Sequence, residues 1–435
     1  MEYYDLKRPI VVRATVELPA SKSISNRALI INALSHSDVE PQNLSDCDDT
    51  VVMRQALSAM PDVIDIGAAG TAMRFLTAYL CVTPGTHTLT GTERMKQRPI
   101  GILVDALRKL GAQVEYLGEE GFPPLRITGC DALEGGELQV RGDISSQYIS
   151  ALLMIAPTLR KGLRLTLTDR IASRPYIDMT IAMMRDFGVQ VEWEGDNVVS
   201  VAPGHYQTRE YRIENDWSAA SYWYELVAST NDPFSWAELP GLRLDSIQGD
   251  SCVRHIFDEL GVDTEPYTCS TGEEGIRIFK YRPATCYLTC DFTNCPDLAQ
   301  ATIVACVLMR VPFSFTGLES LHIKETDRIK ALRTELDKMG FSLSVVGEGA
   351  LEWNGEREGD DDPEWPRNSD PVVETYDDHR MAMAFAPVCC KLRSVRIMNP
   401  GVVTKSYPNF WRDLRLCGFR FKNLTEEEVR DLIKR

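Results

Sequence analysis

Six short stretches of the sequence gather polar and charged side chains where a hydrophobic run begins. PASKSISNR sets Ser21, Lys22, Ser23, Asn26 and Arg27 around one expected helix start, and GAAGTAMR is a glycine-rich turn at Gly67 and Gly70 that leads to Arg74. Ser145-Ser146-Gln147 opens a third run, Asp216 a fourth, Pro296-Asp297 a fifth and Asp377-Asp378-His379-Arg380 a sixth. Helix N-termini present unpaired N–H groups and partial positive charge, so they hold phosphate or carboxylate. Several such starts converging on one cleft would make a strong anion site.

Two further clusters add charge. MKQRPIG puts Arg98 before Pro99 at a helix start, where a guanidinium can clamp a carboxylate with two hydrogen bonds. KETDR reads as one helical turn, with Lys324 and Arg328 on one face and Glu325 turned away by roughly 100°. A surface salt-bridge patch is the plainer reading of that turn taken alone. Taken alone, Ser145-Ser146-Gln147 is most simply a helix cap and Lys22 a solvated lysine. There is no complete Walker A loop, so a P-loop nucleotide site is not expected. The conjunction carries the weight.

The elements that must position these residues recur along the chain. Runs that are apolar on most sides, at 23–34, 70–80, 145–157, 218–229, 296–309 and 377–390, read as buried helices. They interleave with amphipathic helices that end in glycine and pass into a strand, as in IGILVDALRKLGAQVEY and RIKALRTELDKMGFSLSV. Gly111, Gly188, Gly261, Gly340 and Gly418 stand at the expected left-handed closing positions, while Pro61 replaces glycine after the helix over 48–65. A unit of roughly 70–80 residues, shorter at the front, thus occurs six times, three per domain, with sheets packed around buried helices.

Composition bounds the partners. The chain has 435 residues, with 47 Lys plus Arg against 63 Asp plus Glu and a net charge of −16. That length points to about two domains. The charge argues against nucleic acid and anionic membrane surfaces as partners, but a pocket can be positive on a negative protein. The start MEYYDLKRPIVV has no apolar signal core, and the apolar run near Ile149 to Leu159 is far shorter than the roughly 20 residues of a membrane span, so a cytoplasmic protein is expected. The 12 cysteines read as buried thiols; Cys286, Cys290 and Cys295 have no nearby histidine and fit free thiols in strands better than a metal site. Cys389-Cys390 reads as core, and the acidic run 356–371 as a solvated surface loop.

In this order, PASKSISNRALI, GTAMRFL, MKQRPIG, SSQYISALLMIAP, SRPYIDMT, PDLAQA, KETDR, DDHRMAMAF and TKSYPNFW resemble the 3-phosphoshikimate 1-carboxyvinyltransferase (EPSP synthase) family from about Glu17 to Arg412. The resemblance implies a mixed α/β fold, a two-domain inside-out α/β barrel in which each domain holds three βαβαββ repeats around buried helices. One domain would span 20–214, on the shikimate 3-phosphate side, and the other would combine 1–19 with 215–435. It also implies transfer of the enolpyruvyl group of phosphoenolpyruvate to the 5-hydroxyl of shikimate 3-phosphate, by addition and elimination with domain closure. Lys22, Ser23, Arg27, Ser145, Ser146, Gln147, Ser173, Tyr176, Asp297 and Lys324 would surround shikimate 3-phosphate. Lys22, Gly70, Arg98, Gln147, Arg328, Arg380 and Lys405 would hold phosphoenolpyruvate. Asp297 would accept the hydroxyl proton, and Glu325 and Lys22 would share proton transfer at the methylene carbon in a division that the resemblance leaves open. No cofactor, metal, nucleic acid or membrane partner is implied, and the expected state is a monomer.

Three positions depart from the family pattern. Ala68 stands where relatives usually have Asn, Phe75 where many have Pro, and Ser320 where a longer polar residue often contacts shikimate 3-phosphate. Substrate affinity and sensitivity to the family inhibitor glyphosate depend on these positions. The sister family acting on UDP-N-acetylglucosamine has Lys-Asn where this chain has Lys22-Ser23, and it usually carries a reactive Cys near the residues around Arg98, where this chain has none. A non-catalytic anion-binding descendant is the other alternative. Retained Asp297 and Glu325 argue against it, because a mere anion binder gains nothing from carboxylates there.

Overall fold

The computed structural model describes every residue except Met1, Ile10, Ala132, Ile144, Thr271, 358–369, Arg393 and 434–435. Most of the acidic run 356–371 therefore lies outside the described residues. The chain divides into two compact units, Ala20–Glu214 and a discontinuous unit made of Met1–Pro19 with Asn215–Arg435.

In the Ala20–Glu214 unit the buried helices are Lys22–Leu34, Gly70–Cys81 and Ser146–Ile155. All residues of Gly70–Cys81 are buried, as expected for a helix with no polar face. Ser21 and Ser145 cap their helices through their side-chain oxygens, each accepting from a backbone N–H of the first turn. The partner helices are Asp48–Ala59, Gly101–Lys109 and Arg174–Asp186. Gly111 closes the second of these at φ 101°, a value that glycine adopts without a Cβ clash. After Asp48–Ala59 the left-handed residue is Met60, at φ 40°, rather than Pro61. A proline ring fixes φ near −65°, so the turn is made one residue earlier.

One strand order recurs. Val63–Asp65 and Gly85–Thr90 pair in parallel across the intervening buried helix, and the hairpin Gln113–Tyr116 with Leu125–Gly129 adds antiparallel on the far side. Gly136–Arg141, Leu163–Thr168, Val191–Trp193 and Val198–Val201 repeat this order. Parallel neighbours need a crossover and antiparallel ones only a turn, which yields the βαβαββ unit. The front copy, Lys22–Leu34 with Asp48–Ala59, has no such sheet among the described residues and keeps only the isolated bridge between Gln42 and Arg212.

The discontinuous unit has three sheets of the same order. Arg13–Thr15 pairs in parallel with Trp236–Pro240, so the N-terminal segment supplies the first strand of one repeat. Glu2–Lys7 lies between Val395–Met398 and Arg420–Thr425 and completes the last repeat. The buried helices here are Trp217–Ser229, Ala299–Met309 and His379–Phe385. Trp217, Trp223, Tyr222 and Tyr224 are all fully buried on the first of them. The core thus fixes the helix whose start carries Asp216.

All 12 cysteines are free. Cys389 and Cys390 are buried as expected, whereas of Cys286, Cys290 and Cys295 only Cys290 lies in a strand, and Cys286 is exposed. No group of three or more His, Cys, Asp or Glu with metal-binding geometry occurs among the described residues. No helix among the described residues is long and apolar enough to cross a membrane.

Candidate active site

Each unit contributes its own set of predicted residues. In the Ala20–Glu214 unit, Gly70 starts its helix beside two guanidinium groups. A Cβ on Gly70 would lie 2.6 Å from Arg98 Nη1 and 2.8 Å from Arg74 Nη1, so only glycine lets both arginines reach the free helix end. Arg74 Nη1 donates to the Gly70 carbonyl at 2.9 Å, and its guanidinium lies 5.8 Å over the Tyr148 ring. The Tyr148 hydroxyl in turn donates to the carbonyl of Pro99, which fixes the backbone next to Arg98. Gln147 Nε2 donates to Thr71 Oγ1 at 3.2 Å, tying the starts of the Gly70–Cys81 and Ser146–Ile155 helices together. Two helix N-termini and two guanidinium groups therefore concentrate positive potential around Gly70.

Lys22, in the first turn of its helix, stands 3.7 Å from Asp49 Oδ2, and Asp49 is buried. Ser173 precedes Arg174–Asp186 at φ 54°, a left-handed value uncommon for a residue with a side chain. Arg27 is only 2% exposed. Its Nε donates to Thr180 Oγ1 at 2.7 Å, its Nη2 to Ser150 Oγ at 2.9 Å and to the Tyr176 carbonyl at 3.3 Å, and its Nη1 to the Ser23 carbonyl at 2.9 Å. Burial without a carboxylate partner pulls the Arg27 guanidinium down to about 10, only partly opposed by Tyr176. Arg27, expected beside shikimate 3-phosphate, pins the backbone next to Ser23 and Tyr176.

In the discontinuous unit Arg328 stands at the centre. Its Nε donates to Asp378 Oδ2 at 2.7 Å, its Nη2 to Glu325 Oε2 at 2.8 Å and its Nη1 to Asp297 Oδ1 at 3.1 Å. Asp297 also accepts from Arg380 Nη2 at 2.8 Å and meets Lys324 Nζ at 3.5 Å. Lys405 Nζ lies 2.8 Å from the other Glu325 oxygen. Burial by itself lowers the Arg328 guanidinium, but Asp378, Glu325 and Asp297 together hold it above its ordinary value. Burial lowers the Lys324 ammonium, with Asp297 opposing. Arg380 Nη1 donates to the buried Tyr222 hydroxyl, whose pKa burial raises and Arg380 draws back. Asp250, buried and accepting from Ser218 Oγ, is pushed up to about 7 by burial and by the Asp297 charge.

KETDR is not a helical turn. Asp327 caps the helix Arg328–Asp337 by accepting from Lys330 N at 3.0 Å, so Lys324, Glu325 and Thr326 precede the helix. A capping aspartate has non-helical backbone, which releases Glu325 from the 100° spacing expected of it. Glu325 and Lys324 thereby come to the same arginine and aspartate cluster instead of diverging.

Lys22, Ser23, Gly70, Arg98, Ser145, Ser146, Gln147, Ser173 and Tyr176 thus fall in one unit, and Asp297, Lys324, Glu325, Arg328, Arg380 and Lys405 in the other. The family profile described as EPSP synthase (3-phosphoshikimate 1-carboxyvinyltransferase) matches residues 7–64 and 55–414. The chain belongs to the EPSP synthase family. A 3-phosphoshikimate 1-carboxyvinyltransferase from Bacteroides fragilis is 54% identical over 419 residues, which cover 96% of this chain and 98% of that protein. One from Cellvibrio japonicus is 35% identical, with 94% of this chain and 98% of the relative covered. The solved EPSP synthase of Acinetobacter baumannii has the same fold, with a TM-score of 0.77 at 21% identity over 98% of this chain and 100% of that one.

Several residues of these sets escaped the sequence reading of the site. Arg74 was visible only as a residue four positions after Gly70, the spacing that returns a side chain to the same helix face. Asp378 stood out as a helix-start residue, and its pairing with Arg328, fifty positions earlier, is tertiary. Ser150 and Thr180, which hold Arg27, had no signal beyond being polar in apolar helices. Of the three departures from the family pattern, Phe75 is fully buried with the Arg27 guanidinium 5.3 Å over its ring, so it gives the cation a π face. Ala68 is exposed in the turn before Gly70, and Ser320 is half-buried in the turn Glu319–Ile323.

Proposed function

We propose that this chain transfers the enolpyruvyl group of phosphoenolpyruvate to the 5-hydroxyl of shikimate 3-phosphate and releases phosphate. The observation that carries this reading is the placement of two carboxylates, Asp297 and Glu325, directly on cations: Arg328 touches both, Arg380 and Lys324 the first, Lys405 the second. The reaction needs a base for the hydroxyl, an acid for the methylene carbon and cations for the leaving phosphate, since both substrates are multiply charged anions. In this reading Asp297 accepts the proton of the attacking hydroxyl as its oxygen bonds to the central carbon of phosphoenolpyruvate. Glu325 delivers a proton to the methylene carbon, and loss of a proton from the resulting methyl group together with phosphate gives the enol ether product.

The ion pairs give Glu325 a way to change character. Lys405 and Arg328 neutralise it in the structure. An incoming phosphate or carboxylate competes for the same N–H groups, and a carboxylate that loses its cations takes up a proton more readily. In the Ala20–Glu214 unit, Lys22, Gly70, Arg98 and Gln147 would hold phosphoenolpyruvate, and Lys22, Ser23, Ser145, Ser146, Gln147, Ser173 and Tyr176 would surround shikimate 3-phosphate. Arg27 would stand beside shikimate 3-phosphate and also hold the backbone next to Ser23 and Tyr176. The reading also places the enzyme in the cytoplasm and treats it as a monomer.

Phosphate release should require phosphoenolpyruvate and shikimate 3-phosphate together, each alone giving none. A continuous phosphate assay decides it: no release with this pair, but release with phosphoenolpyruvate and UDP-N-acetylglucosamine, moves the chain to the sister activity.

A further inference from the structure

One solvent-facing surface of the discontinuous unit is built unlike its counterparts. The sheet with order Val262–Thr268, Glu274–Lys280, Trp236–Pro240, Arg13–Thr15 buries Ala237, Leu239, Ile276 and Ile278 toward the helices. Alternation then turns Trp236, Arg277 and Phe279 outward. Cross-strand register sets Arg13 beside Trp236 and Trp236 beside Phe279, with Arg277 beside Glu265 one row along. These side chains line an open depression of about 500 Å³, walled on one edge by Phe234. None of its residues belongs to either site set described above.

The chemistry of the depression is specific. Phe234 is 72% exposed and stands beside the partly exposed Trp236 and Phe279, so the three rings form one aromatic patch. Arg277 lies with its guanidinium carbon 5.0 Å over the Trp236 ring. Its Nε is enclosed without a hydrogen-bond partner, and its only acidic neighbour among the described ion pairs, Glu265, stands off at 3.9 Å. Arg13 anchors the Phe234 carbonyl through Nε at 3.2 Å and meets Asp232 at 3.6 Å. Of the other outward carboxylates of the sheet, Glu238 is taken by the Thr15 hydroxyl at 2.6 Å, and Asp263, across from Phe279, accepts from the Thr264 backbone N–H at 2.7 Å. By contrast, Arg164 and Arg126 on the sheets of the other unit are closely paired, Arg164 to Glu194 at 3.0 Å and Arg126 to Glu115 at 3.3 Å.

We propose that this depression is a binding site for a small aromatic carboxylate, with its ring against Phe234 and Trp236 and its carboxylate on Arg277 and Arg13. The volume suits a single-ring ligand, whose size class occupies pockets of roughly 300 Å³ upward. An aromatic ring gains offset or edge contact with two exposed rings. The carboxylate gains charge-assisted bonds from guanidinium groups that hold their acidic neighbours loosely. Glu265 weighs against any anion, but a surface pair at this separation is weak and readily displaced. Lys280, pulled down to about 8 chiefly by burial, borders the depression with its ammonium donating to the Thr230 carbonyl.

Phenylacetate is a suitable probe, titrated by calorimetry and by saturation-transfer NMR against the full chain. Cyclohexylacetate keeps the charge without the π face, and phenylacetamide keeps the ring without the charge. Saturable phenylacetate binding is expected, with each comparator weaker by about fivefold or more. Phe234→Ala, an exposed position that leaves the core untouched, should weaken phenylacetate about fivefold, and Arg277→Met about tenfold, from the loss of one stacking and one charge-assisted contact. Both variants should release phosphate at the unmodified rate when no aryl carboxylate is added. The proposal is overturned by absence of saturable binding, by equal binding of cyclohexylacetate, by variants that bind like the parent chain, or by displacement of the probe with phosphoenolpyruvate.

Discussion

Arg27 and Arg328 are both nearly sealed from water, 2% and 1% exposed, yet their surroundings are opposite. Arg27 meets hydroxyls and carbonyls, whereas Arg328 touches Asp378, Glu325 and Asp297. Burial lowers the first guanidinium to about 10, and three carboxylates raise the second above its ordinary value. The difference teaches what a buried cation is for in each unit. Arg27 orders helices while meeting only neutral partners among the described residues, so a positive charge stays in place beside Ser23 and Tyr176. Around Arg328, Lys324, Arg380 and Lys405 join it against the same three carboxylates. That cluster is nearly neutral, with one surplus positive charge, and under the proposed function it would bind anions by exchanging internal partners for substrate groups.

The sharpest way to break the comparison is to remove the carboxylate proposed to act as acid. Glu325→Gln keeps the shape and one acceptor oxygen, for Arg328 or Lys405, but cannot carry the proton. Turnover should fall about 10²–10⁴-fold with substrate affinity changed only a few-fold. Single-turnover kinetics with parallel binding titrations check this, and an unchanged rate would remove Glu325 from the chemistry.

Stability should separate the two arginines next. Arg328→Met leaves three buried or half-buried carboxylates without their shared cation, at a cost of about 3–5 kcal/mol. Arg27→Met leaves only neutral acceptors unsatisfied, at about 1–3 kcal/mol. Denaturant unfolding of the two variants side by side measures the gap. Equal losses would mean that the carboxylate cluster is not held together by Arg328.

The smallest effect concerns Asp250. Its folded value of about 7 lies above the ordinary carboxyl range, so the folded chain binds more protons than the unfolded chain between those limits. Stability therefore falls as pH rises across that window. Asp250→Asn keeps an acceptor for Ser218 without the charge. It should be the more heat-stable protein by a few degrees at pH 8, with the advantage vanishing near pH 4. A melting difference independent of pH would show that Asp250 does not titrate there.

Much of this was legible in the sequence because it is written in local periodicity. The runs 70–80 and 218–229 are apolar on every side, and each became a helix buried almost throughout. Gly111 and Gly188 marked helix ends because few other residues take positive φ without strain. The motif order was enough to indicate the family. KETDR was misread because charge spacing suggests a helix whereas a single capping aspartate, Asp327, decides where one begins. That the front repeat has no four-stranded sheet among the described residues is not legible in the sequence, since strand pairing is a contact between distant segments, and Gln42 bridges to Arg212.

By itself, the sequence determined which side chains lie near a helix start: Lys22, Gly70, Ser146, Asp297 and Arg380 are set by hydrophobic pattern and caps within a few residues. Tertiary structure alone decided who neutralises whom. Arg328 finds Asp378 fifty positions away, Arg380 finds Asp297 over an even longer separation, and Arg27 finds Ser150 and Thr180 instead of a carboxylate. Charge pairing acts through space, and only packing of the buried helices brings those atoms within reach.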